Sequence, residues 1–241
     1  MKKLLFITYA FDKNTPVGVG AQRIVTSLSN HGYRVFVITS QTNNIVIPNV
    51  DILAVSNHPR IPVGISNKLS NLFGRELLYL SWEIRAYVAG NKILRNNHDV
   101  IAIYTRANPI SVCPVGARLS RKYKIPLLMH FTDPIPAPEE WYPDPSNRKR
   151  MIKQMRSLLS YPDLISFGNK HMLLYEEKCL GVSLQKKAFV SPDPGFHDFV
   201  YLPPLPSNCY LDKCCLRHRM LQRDCLLQKL LNPQHHLFLY Y

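Results

Sequence analysis

The stretch that decides the fold is residues 1–40, MKKLLFITYA FDKNTPVGVG AQRIVTSLSN HGYRVFVITS. Its two apolar runs, residues 4–9 and 34–39, are continuous rather than alternating, which is typical of strands covered on both faces. Between them lie a glycine-containing loop at residues 16–20 and an amphipathic helix predicted at residues 21–30. Strand, helix and strand in this order predict a parallel sheet with a right-handed crossover.

The same alternation of strands and helices continues to about residue 195. Further strands are predicted at 45–47 (weak), 50–55, 99–105, 125–131, 163–167 and 187–190, and helices at 67–96 with a break at Gly74, 111–123, 148–159 and 169–179. This pattern predicts an α/β fold with a doubly wound, mostly parallel, Rossmann-like sheet. Ligands of such sheets bind beyond the carboxyl ends of the strands, so we expect the functional site in the loops at that edge.

The last 41 residues break this pattern. We therefore expect one domain at residues 1–200 and an atypical tail at residues 201–241 that is rich in Cys, Leu, Arg and His. A basic amphipathic helix at residues 216–231 is one interpretation of the tail. The other is a non-native or disordered segment under no constraint from a fold.

The chain carries a large positive charge, with a formal net charge of +14 from 30 Lys and Arg against 16 Asp and Glu. Such an excess implies an anionic partner or surface, and the alternative is that the charge serves solubility alone. The basic residues are spread along the chain without dense aromatic interleaving, so nucleic acid is not predicted as the partner. No apolar run reaches the ~18 residues of a membrane span. The short N-terminal run is read as a strand rather than a signal peptide, which predicts a cytoplasmic protein.

The glycine pair Gly18 and Gly20 invites comparison with dinucleotide-binding loops. Those loops need a third glycine where this chain has Arg23, and an acidic residue after the second strand, which here ends in Thr39 and Ser40. Nicotinamide and flavin cofactors are therefore not predicted. A glycine loop at a helix N-terminus still suits an anion such as phosphate. The alternative is a tight turn without a ligand.

Three segments together resemble a known family. Residues 15–39, TPVGVGAQRIVTSLSNHGYRVFVIT, resemble the opening of the N-terminal domain of GT-B-fold glycosyltransferases of the large retaining family four. Residues 124–133, KIPLLMHFTD, resemble the fifth-strand segment of that domain, and residues 163–166, DLIS, resemble its later strand. The resemblance covers residues 1 to about 200 and rests on the order and spacing of these segments.

The resemblance implies an enzyme with two Rossmann-like domains that face each other across a cleft. The N-terminal domain would hold a glycan or lipid-linked acceptor, and the C-terminal domain would hold a nucleotide-sugar donor through a Glu-x7-Glu pair. No Glu follows Glu177, and 46 residues follow Gly195. We therefore expect the acceptor-side domain of a glycosyltransferase, truncated or frameshifted after about residue 200 and inactive alone. Transfer without a required metal is implied, and no cofactor is predicted.

Candidate site residues lie at the carboxyl ends of the predicted strands. His130 and Asp133 are the candidate catalytic residues, and the candidate substrate-binding residues are Gly18, Gly20, Arg23, Arg106 and Thr132. The alternative for His130 is a core position, and the alternative for both arginines is a solvated surface position. A metal site is not predicted, because the cysteines and histidines lack the spacing of zinc ligands.

The basic helix at residues 148–159 suggests a second kind of partner. Its cations lie beside an apolar face, which predicts peripheral attachment to anionic lipid. The resemblance implies an enzyme of polysaccharide or glycolipid synthesis, for which the inner face of the plasma membrane is the expected surface. The alternative is a solvated helix face. An alternative function of a different class is a non-catalytic Rossmann-type module that binds an anionic ligand or a partner protein.

Overall fold

The computed structural model describes residues 1–42, 45–58, 62–140 and 145–191. The chain divides into two compact units, Met1–Pro192 and Asp193–Tyr241, and all the described residues belong to the first unit. The predicted tail at residues 201–241 lies outside the described residues. The predicted boundary at residue 200 and the domain assignment of the tail stay predictions.

Strands and helices alternate along the first unit. In chain order the elements are β1 (Lys3–Ile7), β2 (Ala10–Phe11), α1 (Pro16–Asn30), β3 (Arg34–Thr39), β4 (Gln41–Thr42), β5 (Val50–Ala54), α2 (Val63–Phe73), α3 (Leu80–Asn96), β6 (Val100–Arg106), α4 (Val112–Tyr123), β7 (Leu127–Phe131), α5 (Pro145–Leu158), β8 (Leu164–Phe167), α6 (Lys170–Leu180) and β9 (Ala188–Val190). The predicted α/β class is confirmed.

Seven strands form one parallel sheet in the order β5-β3-β1-β6-β7-β8-β9. The chain moves outward from β1 in one direction through β3 and β5, then returns to the other side of β1 with β6. This reversal makes the junction of β1 and β6 the topological switch point, where ligands of doubly wound sheets bind. The loops that follow β1 and β6 therefore define the expected site.

The sheet is buried on both faces, which explains the continuous apolar runs. All four residues of β8 and all five of β7 are buried, as are Leu4 to Ile7 of β1. Helices on both sides supply the cover, and the core cluster includes Trp82 of α3 and Met155 of α5. Strands covered in this way have no polar face, so their side chains do not alternate between apolar and polar.

Helix ends follow local signals in most places. The break predicted at Gly74 is confirmed, because this glycine ends α2 in a left-handed conformation with a φ of 65°. Pro114 lies in the first turn of α4, where its missing N–H costs nothing. Residues 45–47, predicted as a weak strand, are not in a strand. The short β4 instead pairs with β2 at the carboxyl edge of the main sheet.

The start of α1 differs from the prediction. The helix begins at Pro16, so residues 16–20 are its first turns rather than a loop. Thr15 is the N-cap in an extended conformation, and a proline at the first helical position is already fixed near helical φ. None of the described helices is long and apolar enough to cross a bilayer.

Candidate functional site

The turn between β2 and α1 is held by one buried carboxylate. Asp12 Oδ1 accepts hydrogen bonds from the backbone N–H groups of Asn14 and Thr15, each at 2.8 Å, and its Oδ2 accepts from Thr15 Oγ1 at 2.9 Å. Thr15 Oγ1 in turn accepts from the Gly18 N–H at 3.0 Å. The start of α1 is therefore fixed by side chains of the protein, and a carboxylate stands at the positive end of the helix dipole.

Both glycines of the predicted loop face protein atoms at short range. An ideal Cβ on Gly18 would lie 2.5 Å from the backbone N and O of Asp12. An ideal Cβ on Gly20 would lie 2.5 Å from Arg106 Nη2. Both residues have helical conformations in α1, so a positive φ is not the reason for glycine here. Glycine is needed because the space beside α1 is already filled.

Arg106 fills part of that space from the other side of the switch point. It is the last residue of β6, its exposed fraction is 1%, and its Nη1 donates to the carbonyl oxygen of Val17 in α1. The alternative of a solvated surface position is therefore wrong for Arg106. Arg23 lies further along α1 and is half-buried. Of the two arginines, Arg106 is the one placed at the switch point, and it ties α1 to β6.

His130 lies in the core at the carboxyl end of β7. In the sheet register it is opposite Arg106 on β6 and opposite Ser166 on β8. Its exposed fraction is 1%, its Nδ1 is 2.7 Å from Ser166 Oγ, and its ring centroid lies 6.1 Å from that of Tyr104. The histidine therefore lies beneath the edge of the sheet, in a hydrogen bond that fixes its ring orientation.

Asp133 is exposed in the loop after β7 and connects two loops of the edge. Its Oδ2 accepts from Asn108 Nδ2 at 2.7 Å and from Thr132 Oγ1 at 3.1 Å. The loop after β6 is also bonded to β7, because the Ala107 N–H donates to the His130 carbonyl oxygen at 2.8 Å. The loops after β6 and β7 thus form one connected rim, and Asp133 presents a carboxylate on it.

The proline-rich loop at residues 132–138 is held by two charged residues from the helices below. Glu176 of α6 is fully buried, and its Oε1 accepts a hydrogen bond from the Ile135 N–H. Burial raises the pKa of Glu176 to about 8, against opposing contributions from that hydrogen bond and from Arg148. Arg148 donates to the Ala137 carbonyl oxygen at 2.7 Å and pairs with Glu139 at 3.2 Å.

Five residues of this region were not among the predicted site residues: Asp12, Thr15, Asn108, Ser166 and Glu176. Of these five, Thr15 had a signal in the sequence, since a threonine followed by a proline is a common start of a helix. Glu176 and Ser166 carry no such signal, because their partners lie about forty residues away in the sequence. In the part of the chain that is described, no group of three His, Cys, Asp or Glu is placed to hold a metal ion.

Comparisons with known proteins agree with this architecture. No protein-family model and no curated protein sequence matches the chain. The structure of HepE from Anabaena, solved in complex with UDP-glucose, aligns with a TM-score of 0.51 at 15% identity, over 85% of this chain and 47% of HepE. The calicheamicin glycosyltransferase CalG4 aligns with a TM-score of 0.51 at 10% identity, over 86% of this chain and 56% of CalG4.

At such identities the likeness concerns the fold. The strand order defines a Rossmann-like domain with its topological switch point between β1 and β6. More narrowly, this is the fold of a GT-B glycosyltransferase domain, consistent with the N-terminal one. The chain spans about half the length of the solved structures that it matches.

Proposed function

We propose that the chain is the acceptor-side domain of a glycosyltransferase that moves a sugar from a nucleotide-sugar donor to a glycan or lipid-linked acceptor. The observation that carries the proposal is the likeness of the seven-stranded sheet to HepE, which was solved with UDP-glucose, over about half of HepE. The loops at the switch point supply the polar rim that such an acceptor needs. The donor would be a nucleotide diphosphate sugar bound by a second domain.

The candidate residues divide by burial into two groups. Asp133 is exposed and Thr132 is half-buried, and both lie on the rim, so we propose that they contact the acceptor hydroxyls. His130, Arg106, Gly18 and Gly20 lie beneath the rim and set its position. Arg23, half-buried on α1, contributes positive charge near the cleft. Positioning of the acceptor hydroxyl against the donor would be the main catalytic contribution of this domain.

We further propose that the 241-residue chain does not turn over substrate by itself, since it spans about half the length of the solved structures that it matches. Transfer across a two-domain cleft needs donor and acceptor within reacting distance, and closure of the cleft excludes water. We further propose that the enzyme works in the cytoplasm, at the inner face of the plasma membrane, in the synthesis of a polysaccharide or glycolipid. The positive charge of the chain supports attachment to an anionic surface.

Purified chain incubated with a panel of nucleotide-sugars and a crude lipid extract tests this proposal. Sugar transfer and donor hydrolysis are both measured. We expect neither reaction above the rate without protein, because the donor side of the cleft is not supplied. Turnover by the chain would overturn the acceptor-side assignment. Tight binding of an anionic ligand other than a sugar acceptor would favour the non-catalytic module instead.

A further inference from the structure

The helix α2 has an inverted distribution of side chains. Its buried residues are two serines, Ser66 and Ser70. Apart from the half-buried Leu69, its large apolar side chains face outward, with exposed fractions of 76% for Leu72 and 65% for Phe73, and Val63 and Ile65 are exposed too. A helix in contact with water buries its apolar side chains and exposes its polar ones. The exposed apolar side of α2 therefore marks an interaction surface.

A cationic groove lies directly beside this helix. It has a volume of about 640 Å³, and its lining includes Asn71 and Gly74 at the end of α2 together with residues of α5. Four of the lining side chains are cations, namely Lys149, Arg150, Lys153 and Arg156, and among the residues that the structure describes no acidic side chain lines the groove. Leu72 and Phe73 lie between Asn71 and Gly74 in the sequence. Exposed apolar side chains and a cationic groove thus meet at the end of α2.

Two of the four cations have structural contacts and two are available to a ligand. Arg150 Nη1 donates to Asn71 Oδ1 at 2.6 Å, and Arg156 Nε donates to the Leu180 carbonyl oxygen at 2.8 Å. Lys149 and Lys153 are exposed, and within the described ranges neither has a hydrogen bond or an ion pair. They are four residues apart on α5, so their ammonium groups lie on one side of that helix. The arginines hold the groove in place, and the lysines present charge.

We propose that α2 and the groove form a docking surface for a bilayer that contains anionic phospholipids. Ile65 and Leu72 are seven residues apart and share a face of α2. Lys68 is exposed beside them, where its long side chain can keep its charge at the lipid headgroups while the apolar side chains enter the bilayer. Leu72 and Phe73 enter the acyl boundary, and Lys149 and Lys153 pair with lipid phosphates. A phospholipid surface offers anionic groups above an apolar layer, which complements this combination. The inference adds residues and a surface to the membrane location proposed above.

Co-sedimentation of the full 241-residue chain with vesicles tests the proposal. Vesicles of phosphatidylcholine alone are compared with vesicles that also contain phosphatidylglycerol, at low and high salt. We expect binding to the anionic vesicles that weakens as salt rises. The double variant Lys149→Gln, Lys153→Gln should bind about 25-fold more weakly, at about fivefold for each charge removed. The double variant Leu72→Ala, Phe73→Ala should lose the binding that survives high salt.

Two controls remove charge and an exposed apolar side chain from other helices. Lys92→Gln with Arg95→Gln removes the same charge from α3, and should stay within about threefold of wild type because surface charges away from the bilayer are screened. Leu174→Ala removes an exposed leucine from α6 and should bind like wild type. All substituted side chains are exposed, and circular dichroism of each variant confirms that it is folded.

The possible outcomes distinguish the docking surface from the proposed membrane location and from the proposed sugar transfer. Equal recovery of wild type with neutral and anionic vesicles would overturn both the membrane location and the docking surface. Strong anionic binding that both α2 and α5 variants retain would overturn the docking surface alone. Vesicle binding that the Leu72, Phe73 variant retains unchanged at low and at high salt would show that the apolar side of α2 does not contact lipid, and would overturn the surface. None of these results bears on sugar transfer.

Discussion

The guanidinium of Arg106 lies where a side chain on Gly20 would have to be, since an ideal Cβ on Gly20 falls 2.5 Å from Nη2 and 3.1 Å from Cζ. Arg106 also bonds to Val17 one turn earlier in α1. The first helix and the central strand β6 are therefore locked together at the switch point of the sheet. Glycine at this place serves packing within the domain rather than a loop around a ligand.

The two glycines should differ in their tolerance of a methyl group. Gly18→Ala meets the backbone of Asp12, which cannot move without breaking the turn, whereas Gly20→Ala meets the end of a side chain. Overpacking of this kind costs roughly 1–3 kcal/mol, and we expect Gly18→Ala at or above the upper end and Gly20→Ala near the lower end. Urea denaturation measures the free energy of unfolding.

Gly64→Ala is the matched control for these variants. Gly64 is also helical, in the first turn of α2, and no heavy atom lies within 4 Å of its ideal Cβ. Alanine there should be neutral or stabilising by up to about 1 kcal/mol, since it restricts the unfolded chain. Equal losses at all three positions would contradict the packing explanation for Gly18 and Gly20.

Removal of the Ser166 hydroxyl tests the fixed orientation of His130. Ser166→Ala deletes the 2.7 Å hydrogen bond to Nδ1 inside the core and should lower the free energy of unfolding by roughly 1–3 kcal/mol. The ring ¹⁵N shifts of His130 should change with it, because the bond at Nδ1 sets the tautomer. Ser160→Ala, which removes an exposed hydroxyl bonded only to a neighbouring turn, should change stability by less than about 0.5 kcal/mol. Unaltered ring shifts would argue against the hydrogen bond.

Glu176 should make stability depend on pH in the neutral range. Its pKa of about 8 in the folded protein lies above its ordinary value of 4.5, so the folded state holds the proton more tightly. This contribution is complete below pH 4.5 and is lost as the pH rises toward 8, at about 1.4 kcal/mol for each pH unit. Glu176→Gln mimics the protonated form, so its advantage over wild type should grow from pH 5 to pH 8.

The control for that experiment is Glu177→Gln on the same helix. Glu177 is half-buried, and its carboxylate accepts the Leu184 N–H at 2.7 Å. We expect that Glu177→Gln gains no stability over wild type as the pH rises. Parallel pH profiles for wild type and Glu176→Gln would show that the buried carboxyl titrates normally.

The sheet could be predicted from the sequence because burial on both faces leaves long apolar runs. Residues 34–39 were placed correctly for that reason, and the break at Gly74 because a glycine readily takes the left-handed conformation that ends a helix. The contacts beneath the site could not be predicted, since Arg106 and Glu176 are charged residues whose burial depends on partners far away in the chain. A charged side chain is ordinarily exposed, and no local pattern indicates the exception.

The start of α1 was missed for a different reason. The signal was in the sequence, because Thr15 followed by Pro16 is a typical N-cap and first helical residue. Gly18 and Gly20, which follow closely, favoured a loop, since each glycine weakens a helix by roughly 1 kcal/mol. Tertiary packing against Asp12 and Arg106 outweighs that cost, and such packing cannot be seen before the fold is known.

Saturation-transfer difference NMR on the purified chain tests the acceptor-side assignment most directly. The chain is mixed in turn with a panel of nucleotide-sugars and with oligosaccharides released from a lipid extract. The saturation transferred to each ligand is compared between wild type and Asp133→Ala. The account predicts transfer to oligosaccharide protons that Asp133→Ala weakens at least about tenfold, in line with the loss of a hydrogen bond to a charged group, and no transfer to the nucleotide-sugars. Strong transfer to a nucleotide-sugar with none to the oligosaccharides would contradict the assignment.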